Sequence, residues 1–140
     1  MLTEISGDKS FEVLDGGKYI FFYFGASWCG PCQLVLPQLT ELSKKYEPSM
    51  IEFYKIDIDL PENKTLCDIC EIKVVPAFLL FKGRNFVSRT KGNNIPGVIQ
   101  MLNTALYPNP ELEESKMSRV EETNPFEENR KVFNKEKLFQ

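Results

Sequence analysis

The sequence contains no histidine, and this absence narrows the chemistry open to the protein. Acid–base catalysis by imidazole is excluded, and so is a zinc site that mixes cysteine with histidine ligands. A strong excess of charge of one sign is also lacking, since 20 acidic and 17 basic residues leave a net charge of only −3. This balance gives no electrostatic reason to expect binding to nucleic acid or to an anionic membrane.

Long apolar runs are missing as well. No stretch of the 140 residues approaches the roughly 20 apolar residues that cross a membrane, so no membrane partner is expected. Residues 1–8 lack a basic end followed by an apolar run, which predicts no signal peptide. Only four cysteines are present, and without a secretion signal they favour reduced, catalytic thiols over structural bridges. We therefore expect a cytoplasmic protein.

Two of the four cysteines lie in the segment 28–32, which reads Trp-Cys-Gly-Pro-Cys. The apolar, aromatic run at 19–24 before it is typical of a strand buried on both faces. After it, apolar residues recur at helical spacing from Val35 to Tyr46. The pattern therefore places both cysteines where a buried strand ends and a helix begins.

A helix start has chemical consequences for these thiols. Its unpaired backbone N–H groups and partial positive charge stabilise a thiolate and lower its pKa. Cys29 comes first and is predicted to be the exposed sulfur, while Cys32 lies one turn deeper, within reach of a disulfide. Pro31 suits the first helical turn, because its missing N–H would be unpaired there anyway, and Gly30 keeps bulk away from the sulfurs.

Half a zinc site and a pair of buried thiols are the alternatives for a Cys-x-x-Cys segment, and its flanks favour redox chemistry. The segment resembles the Trp-Cys-Gly-Pro-Cys active site of the thioredoxin family. The resemblance covers residues 1–106 and continues through Pro37, Lys55–Asp59, Val75-Pro76 and Gly92.

The resemblance implies a protein-disulfide reductase that serves electron transport and cell redox homeostasis. Cys29 would attack a substrate disulfide, and Cys32 would resolve the mixed disulfide. No cofactor would be bound, because the Cys29–Cys32 disulfide carries the electrons. These would come from NADPH through a flavin-containing thioredoxin reductase, and the chain would act as a monomer on disulfide-containing proteins.

The resemblance also implies a substrate groove built from six residues: Trp28, Gly30, Pro31, Val75, Pro76 and Gly92. In the family the bond equivalent to Val75-Pro76 is cis and faces the cysteines. The Val75 backbone would then pair with an extended substrate segment. Without the resemblance, an ordinary trans proline and a core tryptophan would be the simpler interpretations.

Tyr23 is a departure from the family pattern, which has a buried aspartate at this position. That aspartate is thought to move the proton of the resolving thiol, whereas a tyrosine hydroxyl is uncharged near neutral pH. Lys55 matches the lysine beside the aspartate and loses its partner here. Tyr23 is therefore either a residue of the proton path or, the favoured interpretation, a packed strand residue.

Cys67 and Cys70 form a second Cys-x-x-Cys pair without Gly-Pro or an aromatic neighbour. Two buried or semi-buried thiols are the favoured interpretation, because Ile69 and Ile72 suggest a partly buried segment. A regulatory disulfide or an intermolecular thiol is the functional alternative. A zinc site with both cysteine pairs as ligands has plausible spacing, but zinc would then occupy the Cys29 and Cys32 thiols and prevent their redox chemistry.

The patterns predict an α/β protein with the thioredoxin fold. Strands are predicted at 2–5, 18–24, 51–58, 77–81 and 86–91, and helices at 6–14, 31–47, 61–70 and 95–106. Strands that alternate with helices predict a central, mostly parallel mixed sheet with helices on both faces. The hairpin at 82–85 adds an antiparallel edge.

The domain is predicted to span residues 1–106, followed by a charged extension, 107–140, with eight acidic and six basic residues. The apolar residues of this extension follow no clean period, so it is predicted to be disordered or weakly helical. Docking on the domain or on a partner is the alternative. In that case the chain would be a thioredoxin-fold adaptor or complex subunit that binds its partner through the extension.

Overall fold

A five-stranded mixed sheet forms the centre of the computed structural model, which describes residues 1–107. The strands are β1 (Leu2–Glu4), β2 (Tyr19–Gly25), β3 (Ile51–Asp57), β4 (Ala77–Lys82) and β5 (Asn85–Lys91). The helices are α1 (Lys9–Glu12), α2 (Gly30–Ser43), α3 (Lys64–Ile69) and α4 (Ile95–Leu106), with 3₁₀ turns at Val13–Gly16 and Pro61–Asn63. The predicted order of strands and helices is confirmed.

The sheet has the strand order β1-β3-β2-β4-β5. β3 pairs in parallel with both β1 and β2. β4 runs antiparallel to β2 and to β5, so the antiparallel part includes the β2–β4 ladder as well as the predicted hairpin. β2 is therefore a central strand, and the loop that follows it leads directly into α2.

The two faces of the sheet are covered by separate apolar clusters, because side chains alternate along β2. Phe21 and Tyr23 pack on one face with residues of α2 and α4. Phe22 and Phe24 pack on the other face with residues of α1 and α3. Helices on both faces are thus confirmed, and burial of β2 on both sides explains its nearly unbroken apolar sequence.

Several predicted helices are shorter than expected. The helix predicted at 6–14 begins only at Lys9, because Gly7 has a left-handed φ of 61° that a helix does not adopt, and its last part is the 3₁₀ turn at Val13–Gly16. α2 passes through Pro37 but ends at Ser43, four residues earlier than predicted. α4 has the predicted bounds, and Asn94 is its cap, since its side chain accepts a hydrogen bond from the N–H of Gly97 at 3.1 Å.

None of the helices within residues 1–107 is both long and apolar enough to span a membrane. The predictions made for the extension lie outside the described residues, apart from Tyr107 at its start. The adaptor alternative depends on that extension and stays a prediction.

Candidate active site

The segment 28–32 lies between β2, which ends at Gly25, and α2, which begins at Gly30. Cys29 is the N-cap of α2, and a proline occupies the first turn. Cys29 and Cys32 are joined by a disulfide, with their Cα atoms 5.2 Å apart. The strand-to-helix placement predicted for the two cysteines is confirmed.

Backbone N–H groups of the first turn of α2 point toward Cys29. The N–H of Cys32 donates to the Sγ of Cys29 at 3.2 Å, and the N–H of Gln33 donates to the carbonyl oxygen of Cys29 at 3.2 Å. The first of these bonds uses a donor that the helix leaves without an internal partner. When the disulfide is reduced, the same donor is placed to stabilise negative charge on the Cys29 sulfur.

The prediction that Cys29 is exposed is wrong for the disulfide form, in which Cys29 is 4% exposed and Cys32 is fully buried. The Sγ of Cys29 lies 3.6 Å from the carbonyl oxygen of Val75, which belongs to the loop just before β4. This carbonyl and the surrounding apolar cluster cover the sulfur from the side. Cys29 is still slightly more exposed than Cys32, as the prediction implied.

The Val75-Pro76 bond is cis, as predicted. The carbonyl oxygen of Pro76 accepts a hydrogen bond of 2.8 Å from the N–H of Gly92. Gly92 has a φ of 79°, in the left-handed region that favours glycine, which explains the residue type at this point. This hydrogen bond ties the loop that carries Val75, the residue in contact with the Cys29 sulfur, to the end of β5.

Trp28 is a surface residue, 66% exposed, so the interpretation as a core tryptophan is wrong. Its indole N–H donates to the Oδ2 of Asp59 at 2.8 Å. Sequence analysis gave Asp59 no separate role. A signal was available, because Asp59 closely follows β3, and the carboxyl ends of the parallel strands β2 and β3 meet at one edge of the sheet.

Tyr23 is 2% exposed and stacks on Phe78, with ring centroids 5.8 Å apart. It belongs to the same apolar cluster as the two disulfide cysteines. Burial raises the pKa of its hydroxyl above the ordinary value of 10.0, so the hydroxyl stays uncharged near neutral pH. Lys55 is its neighbour on β3 and forms no ion pair within residues 1–107.

Cys67 and Cys70 are free thiols at the end of α3, the first half-buried and the second buried. Burial, followed by the charge of Asp68, raises the pKa of the Cys67 thiol to about 11. Burial also raises the pKa of Cys70. These environments favour inert thiols.

The two cysteine pairs lie on different faces of the sheet. Cys29 and Cys32 pack with the cluster on the α2 and α4 side, whereas Cys67 and Cys70 pack with the α1 and α3 side. The sheet between them prevents a zinc ion from binding to both pairs at once. Within residues 1–107, no three Cys, Asp or Glu side chains are grouped so that they could hold a metal ion.

Residues 5–104 match the model of the thioredoxin family. The chain belongs to the thioredoxin family. Human thioredoxin is 35% identical to it over 97 residues, which cover 67% of this chain and 89% of the human protein. The H-type thioredoxin of Fagopyrum esculentum is 34% identical over 85 residues, or 61% of this chain and 70% of that protein.

Solved thioredoxin structures share the fold. Thioredoxin f from spinach chloroplast, in its short form, has a TM-score of 0.68 at 29% identity, covering 74% of this chain and 92% of that one. A thioredoxin f2 crystallised in complex with ferredoxin:thioredoxin reductase also has a TM-score of 0.68 at 29% identity, covering 74% of this chain and 94% of that one. The predicted fold and family are confirmed.

The chain is therefore a protein-disulfide oxidoreductase of the thioredoxin family, and its redox centre is the Cys29–Cys32 pair. Thioredoxins use such a disulfide and need no bound cofactor. The paired cysteines lie at the start of α2, beside the cis bond of the Val75-Pro76 loop and the exposed Trp28.

Proposed function

We propose that Cys29 is the sulfur that attacks substrate disulfides and that Cys32 is the resolving thiol. The observation that supports this assignment is the hydrogen bond of 3.2 Å from the N–H of Cys32 to the Sγ of Cys29. Cys29 thus receives the helix donor, whereas Cys32 is the more deeply buried of the two, fully buried against 4% exposed. A thiolate is stabilised at the first position and disfavoured at the second.

The reaction consists of two exchanges. The thiolate of Cys29 attacks one sulfur of the substrate disulfide, forms a mixed disulfide, and expels the other substrate sulfur as a thiolate, which takes up a proton. Cys32 then loses its proton and attacks the Cys29 sulfur. The bond between Cys29 and the substrate breaks, the second substrate thiolate leaves and is protonated, and the Cys29–Cys32 disulfide forms. The substrate is reduced by two electrons, and the dithiol is oxidised by two.

The substrate segment binds along the loop at Val75, whose carbonyl oxygen lies 3.6 Å from the Cys29 sulfur. An extended segment that pairs with the Val75 backbone would bring its own disulfide onto that sulfur. Trp28 directly precedes Cys29, and its exposed indole is held by Asp59. Gly30, Pro31, Pro76 and Gly92 complete the proposed groove, with small or rigid residues that leave room for the substrate backbone.

Electrons reach the disulfide from a thioredoxin reductase that uses NADPH, as the sequence resemblance implies. A ferredoxin-dependent reductase is the alternative, because a relative of similar fold has been crystallised with one. The cytoplasmic location and the monomeric state stay predictions, and the relatives include a chloroplast protein.

The roles of the two cysteines are tested with single substitutions in the full chain. Cys29→Ser should abolish reduction of a protein disulfide while the far-ultraviolet circular dichroism spectrum stays unchanged. Cys32→Ser should form a stable mixed disulfide with the substrate, detected by mass spectrometry of the non-reduced adduct. The matched control is Cys67→Ser, which should turn over like the wild type. Turnover by Cys32→Ser at the wild-type rate would show that the assignment is wrong.

The electron source is tested by supplying the oxidised chain with each reductase in turn. Oxidation of NADPH in the presence of a flavin-containing thioredoxin reductase, dependent on the chain and on a disulfide substrate, is the expected result. Reduction only by a ferredoxin-dependent reductase would contradict the NADPH route and leave the cysteine roles unaffected.

A further inference from the structure

A cavity of about 400 Å³ lies next to the chain segments that lead into Val75 and Gly92. Its lining residues are Glu71, Lys73, Val74, Arg89, Thr90 and Lys91. Three of these are cations and one is a carboxylate, so the cavity is positive although the whole chain carries a net charge of −3. The chemistry described above makes no use of these cations.

The cations differ in how firmly they are held. The guanidinium of Arg89 donates to the carbonyl oxygens of Cys70 at 2.9 Å and Glu71 at 3.3 Å, which fixes its position without neutralising its charge. Lys73 and Lys91 are exposed, and neither forms an ion pair within residues 1–107. The cavity therefore presents one anchored cation and two ammonium groups that can turn toward a ligand.

Two chain segments that line the cavity continue directly into the proposed groove. Val74, which is 52% exposed, directly precedes Val75, and Lys91 directly precedes Gly92. Lys91 is also the register partner of Ala77 on β4, the residue that follows Pro76. A segment that lies along Val75 thus passes over the rim of the cavity.

We propose that this cavity binds acidic side chains of the substrate protein and so selects disulfides that are flanked by Asp or Glu. This inference depends on the proposed docking of an extended substrate segment at Val75. Such a segment advances about 3.3 Å per residue, so its side chains two or three positions from the cysteine reach the level of Lys73. A carboxylate there meets three cations, against the single carboxylate of Glu71, so the net attraction is favourable and weakens as salt screens it.

Charge complementarity decides both the partner and its orientation. A chain with a net charge of −3 repels an acidic partner at long range, and a local positive cavity gives that partner one favourable approach. Beside Trp28 the charge is instead negative, because the carboxylate of Asp59 accepts the hydrogen bond of the indole. An acidic flank is therefore attracted to the Lys73 side and repelled from the Trp28 side, which fixes the direction of the bound segment.

The inference is tested with two peptides whose central cysteine is held in a disulfide with 2-mercaptoethanol. In the first peptide the residues two and three positions from the cysteine are Glu, and in the second they are Gln. The reduced full chain is mixed with each peptide, and the released peptide thiol is measured by rapid quench. The Glu peptide should react about tenfold faster at low salt, and the ratio should approach 1 at about 0.5 M salt, where the screening length is only a few ångströms.

Charge-reversed variants identify the cavity as the cause. Lys73→Glu and Lys91→Glu should each remove the preference for the Glu peptide and leave the rate with the Gln peptide within about twofold of the wild type. The matched control is Lys45→Glu, which makes the same charge change beyond the far end of α2, about 20 Å along the helix from Cys29. It should keep most of the preference.

Two results would overturn the inference while leaving the proposed function intact. One is an equal rate for the two peptides at low salt, and the other is an equal loss of preference in Lys45→Glu and Lys73→Glu. If the reduced chain cleaves neither peptide disulfide, the proposed substrate docking fails, and the inference fails with it.

Discussion

The phenol oxygen of Tyr23 occupies the space in which a Cβ atom on Gly25 would lie. The two residues are neighbours on the same face of β2, and the tyrosine ring is held in place because it stacks on Phe78. A buried ring in this position cannot turn aside cheaply. Tyr23 can therefore occupy this position only if residue 25 is glycine.

We expect Gly25→Ala to lower the free energy of unfolding by about 1–3 kcal/mol, because the added methyl group overpacks the Tyr23 ring. In a double-mutant cycle, Tyr23→Val should relieve most of that cost. Denaturant unfolding of the four proteins measures the coupling. Gly16→Ala is the control, since a Cβ there meets nothing within 4 Å, and it should change stability by about 0.5 kcal/mol or less. Additive effects at positions 23 and 25 would contradict the fit.

Tyr23 should take no part in proton transfer, because burial raises the pKa of its hydroxyl above the ordinary value of 10.0. Tyr23→Phe removes only the hydroxyl, so the rate of disulfide reduction should stay within about twofold of the wild type between pH 6 and 9. A pH-dependent loss of rate in this variant would instead place the hydroxyl in the proton path.

Tyr23→Asp tests the same position with a group that can accept a proton. Burial disfavours the charged carboxylate and raises its pKa, so the new base should act only above neutral pH. There we expect reduction to be faster than in the wild type, with Lys55 on the adjacent strand as a partner for the charge. The control is the pH–rate profile of Tyr23→Asn, which should show no such rise.

Much of the fold follows from local sequence patterns. The strand at 19–24 and the helix at 95–106 stand out because continuous apolar runs and a 3.6-residue period are properties of short segments. The redox pair could also be predicted, because the strand before it, both cysteines and the helix after it follow one another directly along the chain. Helix ends were less predictable, since α1 begins only after Gly7, whose φ is left-handed.

The site features that sequence analysis missed depend on residues distant along the chain. The burial of Cys29 comes from the Val75 carbonyl, 46 residues away, and the indole of Trp28 is held by Asp59, 31 residues away. No local period reports such contacts, because they form only when the strand ends meet at one edge of the sheet. The fit between Tyr23 and Gly25 is close in sequence, but it depends on the side-chain rotamer.

Cys67 and Cys70 should be slow to react in the folded chain. With a pKa of about 11, roughly 1 in 3,000 Cys67 thiols is ionised at pH 7.5. Pulsed alkylation of the reduced chain, followed by peptide mass spectrometry, should label Cys29 first and Cys67 much later. The labelling rate of Cys67 should rise about tenfold per pH unit until about pH 11.

Asp68→Asn is the matched variant for this measurement, because the charge of Asp68 is the second cause of the raised Cys67 pKa. It should lower that pKa and speed the labelling of Cys67 without changing that of Cys29. Labelling of Cys67 as fast as that of Cys29 at pH 7.5 would favour the regulatory role that the sequence left open.

Glu52 should stabilise the fold only when its carboxylate is charged. A hydrogen bond of 2.8 Å from Lys18 and a second from Tyr54 at 2.6 Å lower its pKa below the usual value of 4.5. Because the folded pKa is the lower one, the stabilisation is fully present above the unfolded pKa. It is lost as the pH falls through the folded pKa.

We therefore expect Lys18→Met to lower the free energy of unfolding by about 1 kcal/mol or less at pH 7, and the difference to shrink as the pH falls to about 3. The carboxyl signal of Glu52, followed by nuclear magnetic resonance, should titrate at a higher pH in the variant. Lys44→Met is the control, because its pair with Glu41 is more exposed, and it should change stability less. A difference between Lys18→Met and the wild type that is as large at pH 3 as at pH 7 would show that Lys18 stabilises the fold by packing rather than through the Glu52 carboxylate.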